Sequence, residues 1–495
     1  MKSREGSVST RTHAVQPSAH QHTVVDRSTP TADLAERPLL PVVGGELVVP
    51  CLDDRSVRYV NLDYAASAPA LSAVADHVAE VLPYYSSVHR GAGYTSQVST
   101  TLYESARAQL GAFLGARTDD VTVITRNTTD ALNLLATAVP SSQDVVVLDI
   151  EHHANLLPWT GRRHRVLNAA DTLADTLQQL DAELAARPAA LVAVTGCSNV
   201  TGELLPLAEL AQLTHAHGAR IAVDAAQLAP HRRIDIGALD VDYLALSGHK
   251  LYAPYGAGLL VGRRDWLDAA PAHLAGGGAV EEVGLDCVAW APAPARHEAG
   301  TPNVIGTAAL AAACRAIAAL PEGAVTAHEQ ALVDRLLDGL GSLPGVRLLR
   351  LWPDSADRVG VVGFTVTGHD PGRLAAALSA EHGIGVRDGR FCAHPLLARL
   401  GLAEGALRAS LGLGSRIEDV DRLVGALEHL LLRGEGARYR RVAGRWAPAH
   451  DTRPGPAWLG TGSSLTGVPE TEKDLSVAGS SPCAGPTGRS ADRTH

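Results

Sequence analysis

Between residues 120 and 264 the chain repeats one pattern: an apolar run, a polar turn, then in several places a stretch with helical spacing. The apolar runs are DVTVIT (120–125), DVVVLDI (144–150), AALVAVTGCSN (189–199), ARIAVDAAQ (219–227), VDYLALSG (241–248) and GAGLLVGRR (256–264). TTDALNLLATAV follows the first run with apolar residues three and four apart, which predicts a helix. LAELAQLTHAHG (207–218) predicts another, stopped by Gly218. Strands that are apolar throughout and alternate with helices predict a mostly parallel sheet covered on both faces. The last two runs are joined only by a short turn around Lys250, so one of them is open to running antiparallel.

The pattern changes after about Thr301. GVVGFTV (360–366), the helical PGRLAAALSAEHG (371–383) and IGVRDG (384–389) predict a smaller α+β unit. It closes on RIEDVDRLVGALEHLLLR (416–433), whose apolar face repeats at helical spacing. The predicted organisation is a disordered tail over 1–40 and a segment over 41–75 that joins the small domain. A large domain over 76–300, a small domain over 301–433 and a second disordered tail over 434–495 complete it. Both tails are rich in Ser, Thr, Pro or Gly and cannot bury enough apolar surface to order themselves.

Composition narrows the function. The chain has 495 residues, 46% hydrophobic and 19% charged, with a formal charge of −10. That balance offers no basic field and argues against a general nucleic-acid binder. The pairs Arg162-Arg163 and Arg232-Arg233 read as solvated surface. Six cysteines are scattered at 51, 197, 287, 314, 392 and 483 with no CxxC pair, which suggests neither a zinc site nor a disulfide framework. A reducing, cytoplasmic compartment fits. No run of about 18 apolar residues occurs, so no membrane span is predicted, and the N-terminus lacks the apolar core of a secretory signal.

Ligands of open α/β sheets bind at the C-terminal ends of the strands, so the residues there carry the chemistry. Thr128 and Thr129 stand where a helix begins, suited to plain capping or to an anion such as phosphate. His152 and His153 follow a buried strand. Adjacent residues do not face one ligand sphere, so no metal is implied, whereas one imidazole suits a flat ring. Asn199 is a neutral donor. Asp224 closes an apolar run, where an unpaired carboxylate is costly unless it caps a helix or meets a cation. Gln227 lies one turn on, and SGHK brings Ser247, His249 and Lys250 to the next strand end. A lysine there is an ordinary surface residue or an amine that captures a carbonyl. Read together, these positions describe pyridoxal 5'-phosphate: a phosphate, a flat ring, a cationic ring nitrogen and an aldehyde.

The motifs LDYAASAP, VHRGAGYTSQVST, RNTTDALNLL, EHHANLLPW, CSNVTGE, VDAAQLAPH, LSGHKLYAPYGAGLL, GGGAV, EAGTPNV, GVRDGRFCAHPLL and LRASLGLGSRIEDVDRLVGAL run in order from about residue 60 to 428. In this series the chain resembles the class V aminotransferases of PLP fold type I, nearest to the cysteine desulfurases and selenocysteine lyases. The resemblance implies Lys250 as the Schiff-base lysine, Asp224 on the pyridine nitrogen, Gln227 on the ring oxygen and His152 stacked on the ring. It implies Thr128, Thr129, Ser247 and His249 on the phosphate, with Thr301 reaching the phosphate of a neighbouring subunit in a homodimer. His89 and Arg90 would lie near that interface. Asn199, Arg387 and Arg408 would bind the substrate, Arg408 clamping its carboxylate. Cys392 would accept sulfur, with Arg387 and Arg390 supplying positive field and a mobile loop carrying the thiol. The family often has His-Cys before Ala-Gln-Pro, where this chain has Phe391-Cys392-Ala393-His394-Pro395, and LDYAAS departs from the usual Asn-Ala-Ala.

Three functions are compatible with this reading. The first is a cysteine desulfurase that leaves L-alanine and a persulfide on Cys392 and passes sulfur to an acceptor protein. The second is another reaction of an amino acid on the same scaffold, such as transamination, epimerisation or C–S lysis, without the thiol. The third is a non-catalytic binding module, which the presence of Lys250, Asp224 and Arg408 argues against. One fold hosts many chemistries, so the fold cannot choose among them.

Overall fold

The computed structural model describes residues 35–459. Seven strands build the central sheet: β1 (Asp120–Thr125), β2 (Val145–Leu148), β3 (His164–Leu167), β4 (Leu191–Thr195), β5 (Arg220–Asp224), β6 (Tyr243–Ser247) and β7 (Gly258–Arg263). Their order across the sheet is β1-β7-β6-β5-β4-β2-β3. Every residue of β2, β4 and β6 is buried, as a sheet covered on both faces requires. β3 has no counterpart in the apolar pattern, because this edge strand is short, half polar and nowhere fully buried.

β7 runs antiparallel to β1 and β6, while the other pairs are parallel. Residues 248–257 join β6 to β7 with turns and no helix. A parallel return needs a longer crossover, so this connection reverses the chain and leaves Lys250 at the sheet's carboxyl edge. Gly258 makes the reversal fit. A Cβ there would lie 2.6 Å from Asn127 Cα and 2.7 Å from the Leu246 carbonyl oxygen.

The small domain has four antiparallel strands, β8 (Val346–Leu348), β9 (Val361–Val366), β10 (Arg387–Gly389) and β11 (Ala406–Ser410), in the order β8-β9-β11-β10. Helices Ala324–Ser342, Pro371–His382 and Ile417–Arg433 share one apolar cluster with this sheet. The N-terminal segment ties in through Val60–Asn61, which pairs in parallel with Ile384–Gly385, and through a bridge from Asp63 to Ser410.

Several expectations change. Helix Val304–Ala318 packs on helices Ser72–Val81 and Tyr94–Phe113, so the large unit runs past residue 301 and the small one begins near Ala324. The segment 434–495 is not disordered from its start: Tyr439–Val442 and Arg445–Pro448 form a hairpin on helix Pro371–His382. Tyr439 donates to Glu381 at 2.7 Å, and the Trp446 ring lies 5.4 Å from the Arg373 guanidinium and 5.3 Å from that of Arg441. At the other end, Ala35 is fully buried and Leu40 N–H donates to the Leu413 carbonyl at 3.1 Å. The rest of both predicted tails, 1–34 and 460–495, lies outside the described residues. Two arginines read as solvated are structural. Arg162 donates to the carbonyls of Ala136 and Val139, and Arg232 pairs with Glu329 and Asp357 across the two domains. A basic doublet in sequence does not reveal which orphan carbonyls or carboxylates the fold will bring to it.

Candidate active site

The carboxyl ends of β1, β2, β4, β5 and β6 converge. Helix Thr128–Ala138 starts after β1, capped by Asn127, whose side chain accepts from Asp130 N–H at 3.0 Å. Thr128 is therefore inside the first turn. Its N–H and hydroxyl meet the Ser247 hydroxyl at 2.8 and 2.7 Å, which links this helix start to the end of β6. Thr129 is exposed beside it. Free backbone N–H groups at a helix start and clustered hydroxyls suit an anion.

Lys250 lies in the turn after β6, and among the described residues its amine has no hydrogen-bond partner. Burial pulls its pKa down to about 8, opposed by the charge of Asp224 and assisted by Arg408. Asp224, 4% exposed at the end of β5, accepts from Ala226 N–H at 2.9 Å. That is a turn contact and not a helix cap, and burial pushes this carboxyl up while Lys250 draws it down. Gln227 donates to the Ala65 carbonyl at 2.6 Å, and its Oε1 is buried with no partner among the described residues. An unsatisfied buried acceptor marks a place where a donor belongs.

His152 begins the short helix His153–Leu156, and its Nδ1 accepts from Ala154 N–H at 3.0 Å. That bond puts the proton of the neutral ring on Nε2. Burial, then the Lys250 charge, lower its pKa to about 3, so the ring is neutral at ordinary pH and free to stack. His249 Nδ1 contacts the Ser67 hydroxyl at 3.3 Å. Thr301 lies exposed in the loop before helix Val304–Ala318. Arg90 donates to the Gly277 carbonyl at 3.0 Å, and His89 meets Glu104 at 3.0 Å.

From the small domain, β11 delivers Arg408, 3% exposed. Its guanidinium donates to the Asn199 carbonyl at 2.9 Å and to Asp63 at 3.0 Å, and Nε is buried without a partner among the described residues. Arg387 stands opposite Arg408 across the β10–β11 ladder and is exposed. The turn after β10 carries Phe391 and Cys392, both at φ +53°. Side chains rarely adopt that conformation, so the surroundings must impose it. They do: Asn199 Nδ2 donates to the Phe391 carbonyl at 2.8 Å and His153 N–H to the Cys392 carbonyl at 2.9 Å. The expected mobile loop is thus a short turn held down by the large domain, with the Cys392 thiol exposed. Cys392 is near enough to act electrostatically on both Lys250 and Arg408.

Sequence reasoning assigned no role to Asp63 or Glu151. Asp63 is the ion-pair partner of Arg408. Glu151 is fully buried after β2, held by Asn155 Nδ2 at 2.7 Å, and burial raises its pKa to about 8. The signal that found Asp224, an acid ending an apolar run, was present for Glu151 too.

A mostly parallel seven-stranded sheet of this order, carrying a smaller antiparallel α+β domain that brings Arg408 and Cys392 toward the strand ends, defines a two-domain α/β fold. The Aminotransferase class-V family model matches residues 60–423. A cysteine desulfurase of Dickeya dadantii is 39% identical over 382 residues, 74% of this chain and 91% of its own length. A probable cysteine desulfurase 2 of Mycobacterium leprae is 38% identical over 354 residues, 68% of this chain and 83% of its own. Among solved structures, the Escherichia coli cysteine desulfurase CsdA superposes with a TM-score of 0.67 at 34% identity, covering 75% of this chain and 94% of that one. An apo cysteine desulfurase of Thermococcus onnurineus gives 0.69 at 33%, with the same coverage. The chain belongs to the class-V aminotransferase family.

Proposed function

We propose that the protein is a pyridoxal 5'-phosphate-dependent cysteine desulfurase. The observation that carries this reading is Cys392, an exposed thiol in a strained turn that the large domain pins toward Lys250 and Arg408. A cysteine that only packed would be buried and inert. The four other described cysteines are free too, and three of them are buried.

The residues fit the cofactor. Lys250 would anchor its aldehyde, Asp224 would pair with its ring nitrogen, and the orphan Gln227 Oε1 would accept from its ring hydroxyl. Neutral His152 would cover the ring face, and Thr128, Thr129 and Ser247 would hold the phosphate, with His249 at the rim. When bound, the cofactor supplies an electron sink that lets bonds to the substrate's Cα and Cβ break. Arg408 and Asn199 hold the substrate carboxylate and orient its side chain toward Cys392, and Arg387 adds positive charge at the entrance. Lys250, its pKa near 8, is a base of suitable strength for the Cα proton and returns protons to the carbon product. The Cys392 thiolate attacks the substrate sulfur. One S–S bond forms and one C–S bond breaks, so L-cysteine becomes L-alanine, Cys392 becomes a persulfide, and no outside oxidant or reductant is needed. Its exposure lets an acceptor protein take the sulfur next.

A homodimer is part of this reading. Thr301 is exposed, and the hairpin Val280–Val283/Val288–Trp290 holds out Val283, Leu285 and Val288, apolar surface that suits a second copy. No described helix is long and apolar enough to cross a membrane. The free cysteines suit a reducing cytoplasm.

The test is to give purified enzyme L-cysteine and assay alanine, keto acid and the mass of the Cys392 peptide. Alanine with a gain of about 32 Da on Cys392 that a thiol reductant removes, as it removes a persulfide's outer sulfur but not the oxygens of a sulfinic acid, supports the reading. A keto acid with unmodified Cys392 assigns the chain to the thiol-independent reactions of the scaffold.

A further inference from the structure

Arg408, Asn199 and Phe391 form a closed circuit. Arg408 Nη1 donates to the Asn199 carbonyl at 2.9 Å, and Asn199 Nδ2 donates to the Phe391 carbonyl at 2.8 Å. The Phe391 ring returns to Arg408, its centroid 5.2 Å from the guanidinium carbon. Phe391 is 5% exposed although it belongs to a surface turn, and its neighbour Cys392 is exposed. Two demands meet here. A carboxylate is held best by parallel N–H bonds in the plane of the guanidinium, so that plane has to be set. The Phe391 ring beneath the guanidinium carbon holds that group without using an N–H, and Nε stays unpartnered for a ligand. A protonated imidazole in the same place would repel the cation.

Resting on the desulfurase reading, we propose that Phe391 is a positioning residue that couples the carboxylate clamp to the thiol: its ring orients Arg408 while its backbone sets the turn that presents Cys392. The ring anchors a turn whose two central residues both stand at φ +53°. Neither conformation is favoured without an anchor. Losing the aromatic face therefore loosens the clamp and the thiol turn together, and an aliphatic side chain of similar bulk does not replace it.

The test compares holoenzyme carrying Phe391→Leu or Phe391→Tyr with wild type. Calorimetric titration with L-alanine, which has the carboxylate and no sulfur, reads the clamp. The rate at which iodoacetamide alkylates Cys392 without amino acid reads the turn. Phe391→Tyr keeps both values within about twofold. Phe391→Leu weakens alanine binding about tenfold, the scale of a desolvated cation–π contact, and changes the alkylation rate severalfold. Wild-type alanine affinity in Phe391→Leu overturns the proposal, and so does equal loss in Leu and Tyr, which would mean packing alone. An unchanged alkylation rate overturns the coupling. Failure of wild type to form a persulfide from L-cysteine counts against the desulfurase reading, and the alanine titration still judges Phe391.

Discussion

Lys250 and Cys392 both sit in turns that follow strands, yet the chain holds them in opposite ways. Lys250 sits in the turn after β6, half-buried in the large domain, where desolvation lowers the pKa of its amine to about 8. Cys392 sits in the turn after β10, exposed, and its backbone is fixed by Asn199 and His153 of the other domain. The amine needs low dielectric, because desolvation is what brings its pKa toward neutrality. On the desulfurase reading the thiol needs access to both substrate and acceptor, and its precision comes from backbone hydrogen bonds instead of burial. One residue is tuned by its environment and the other by its anchors.

That contrast orders the expected effects. Lys250→Ala strikes the tuned group. Turnover should fall by about 10³-fold or more, the scale of a lost general base, and borohydride should no longer fix cofactor to the protein while circular dichroism stays unchanged. Normal turnover would remove Lys250 from the mechanism. Cys392→Ser strikes the anchored group and preserves its volume. Alanine formation from cysteine should drop at least about a hundredfold, with no persulfide by mass spectrometry and an unchanged cofactor spectrum. Sulfide and alanine at the wild-type rate would mean that the turn only packs.

Arg408→Lys keeps the charge and removes the fork and the stack on Phe391. The loss in kcat/KM should correspond to about 2 kcal/mol or more, and an unchanged value would place the carboxylate elsewhere. Ending the chain at Arg433 probes the anchors from behind. Gly372 lies between Trp446 of the C-terminal hairpin and Asp388 of β10, since a Cβ there would come within 3.0 Å of the one and 3.1 Å of the other. Removing residues from Gly434 on strips Glu381 of Tyr439 and Arg373 of Glu435. The urea midpoint should shift by about 1–2 kcal/mol of stability, with faster alkylation of Cys392 and no change at Lys250. Equal effects on both turns would break the contrast.

The smallest effect concerns His152. Its folded pKa is about 3 against an ordinary 6.5. Between those values the unfolded chain binds a proton that the folded chain refuses. Stability contributed by the neutral ring is therefore present above about pH 6.5 and lost as pH falls toward 3. In urea titrations of apo-protein at pH 7 and pH 6, wild type should lose about 0.7 kcal/mol more than His152→Asn. A parallel pH dependence in the two proteins would show that the ring is not held neutral.

Much of this fold was legible in the chain. The apolar runs matched β1, β2, β4, β5, β6 and β7, and the helical spacing matched Thr128–Ala138, Leu207–Ala216, Pro371–His382 and Ile417–Arg433. Strand burial and helix amphipathicity are local, so periodicity carries them. The residues at strand ends were legible for the same reason: once the strands are known, their carboxyl ends are known, and Thr128, His152, Asn199, Asp224 and Lys250 stand there.

The tertiary structure decided what no window of sequence contains. It paired Arg408 with Asp63, 345 residues away, and with Asn199, 209 residues away. It laid Phe391 under that guanidinium and turned an expected mobile loop into a pinned turn. It moved helix Val304–Ala318 to the large domain and ordered a hairpin in a segment whose composition reads as disordered. That hairpin is too small to fold alone, and it orders only because helix Pro371–His382 offers Glu381, Arg373 and Asp370 as partners. Local propensity determines which elements form. The register between distant elements determines which side chains meet, because those contacts depend on long-range packing of the whole chain and leave no period in the sequence.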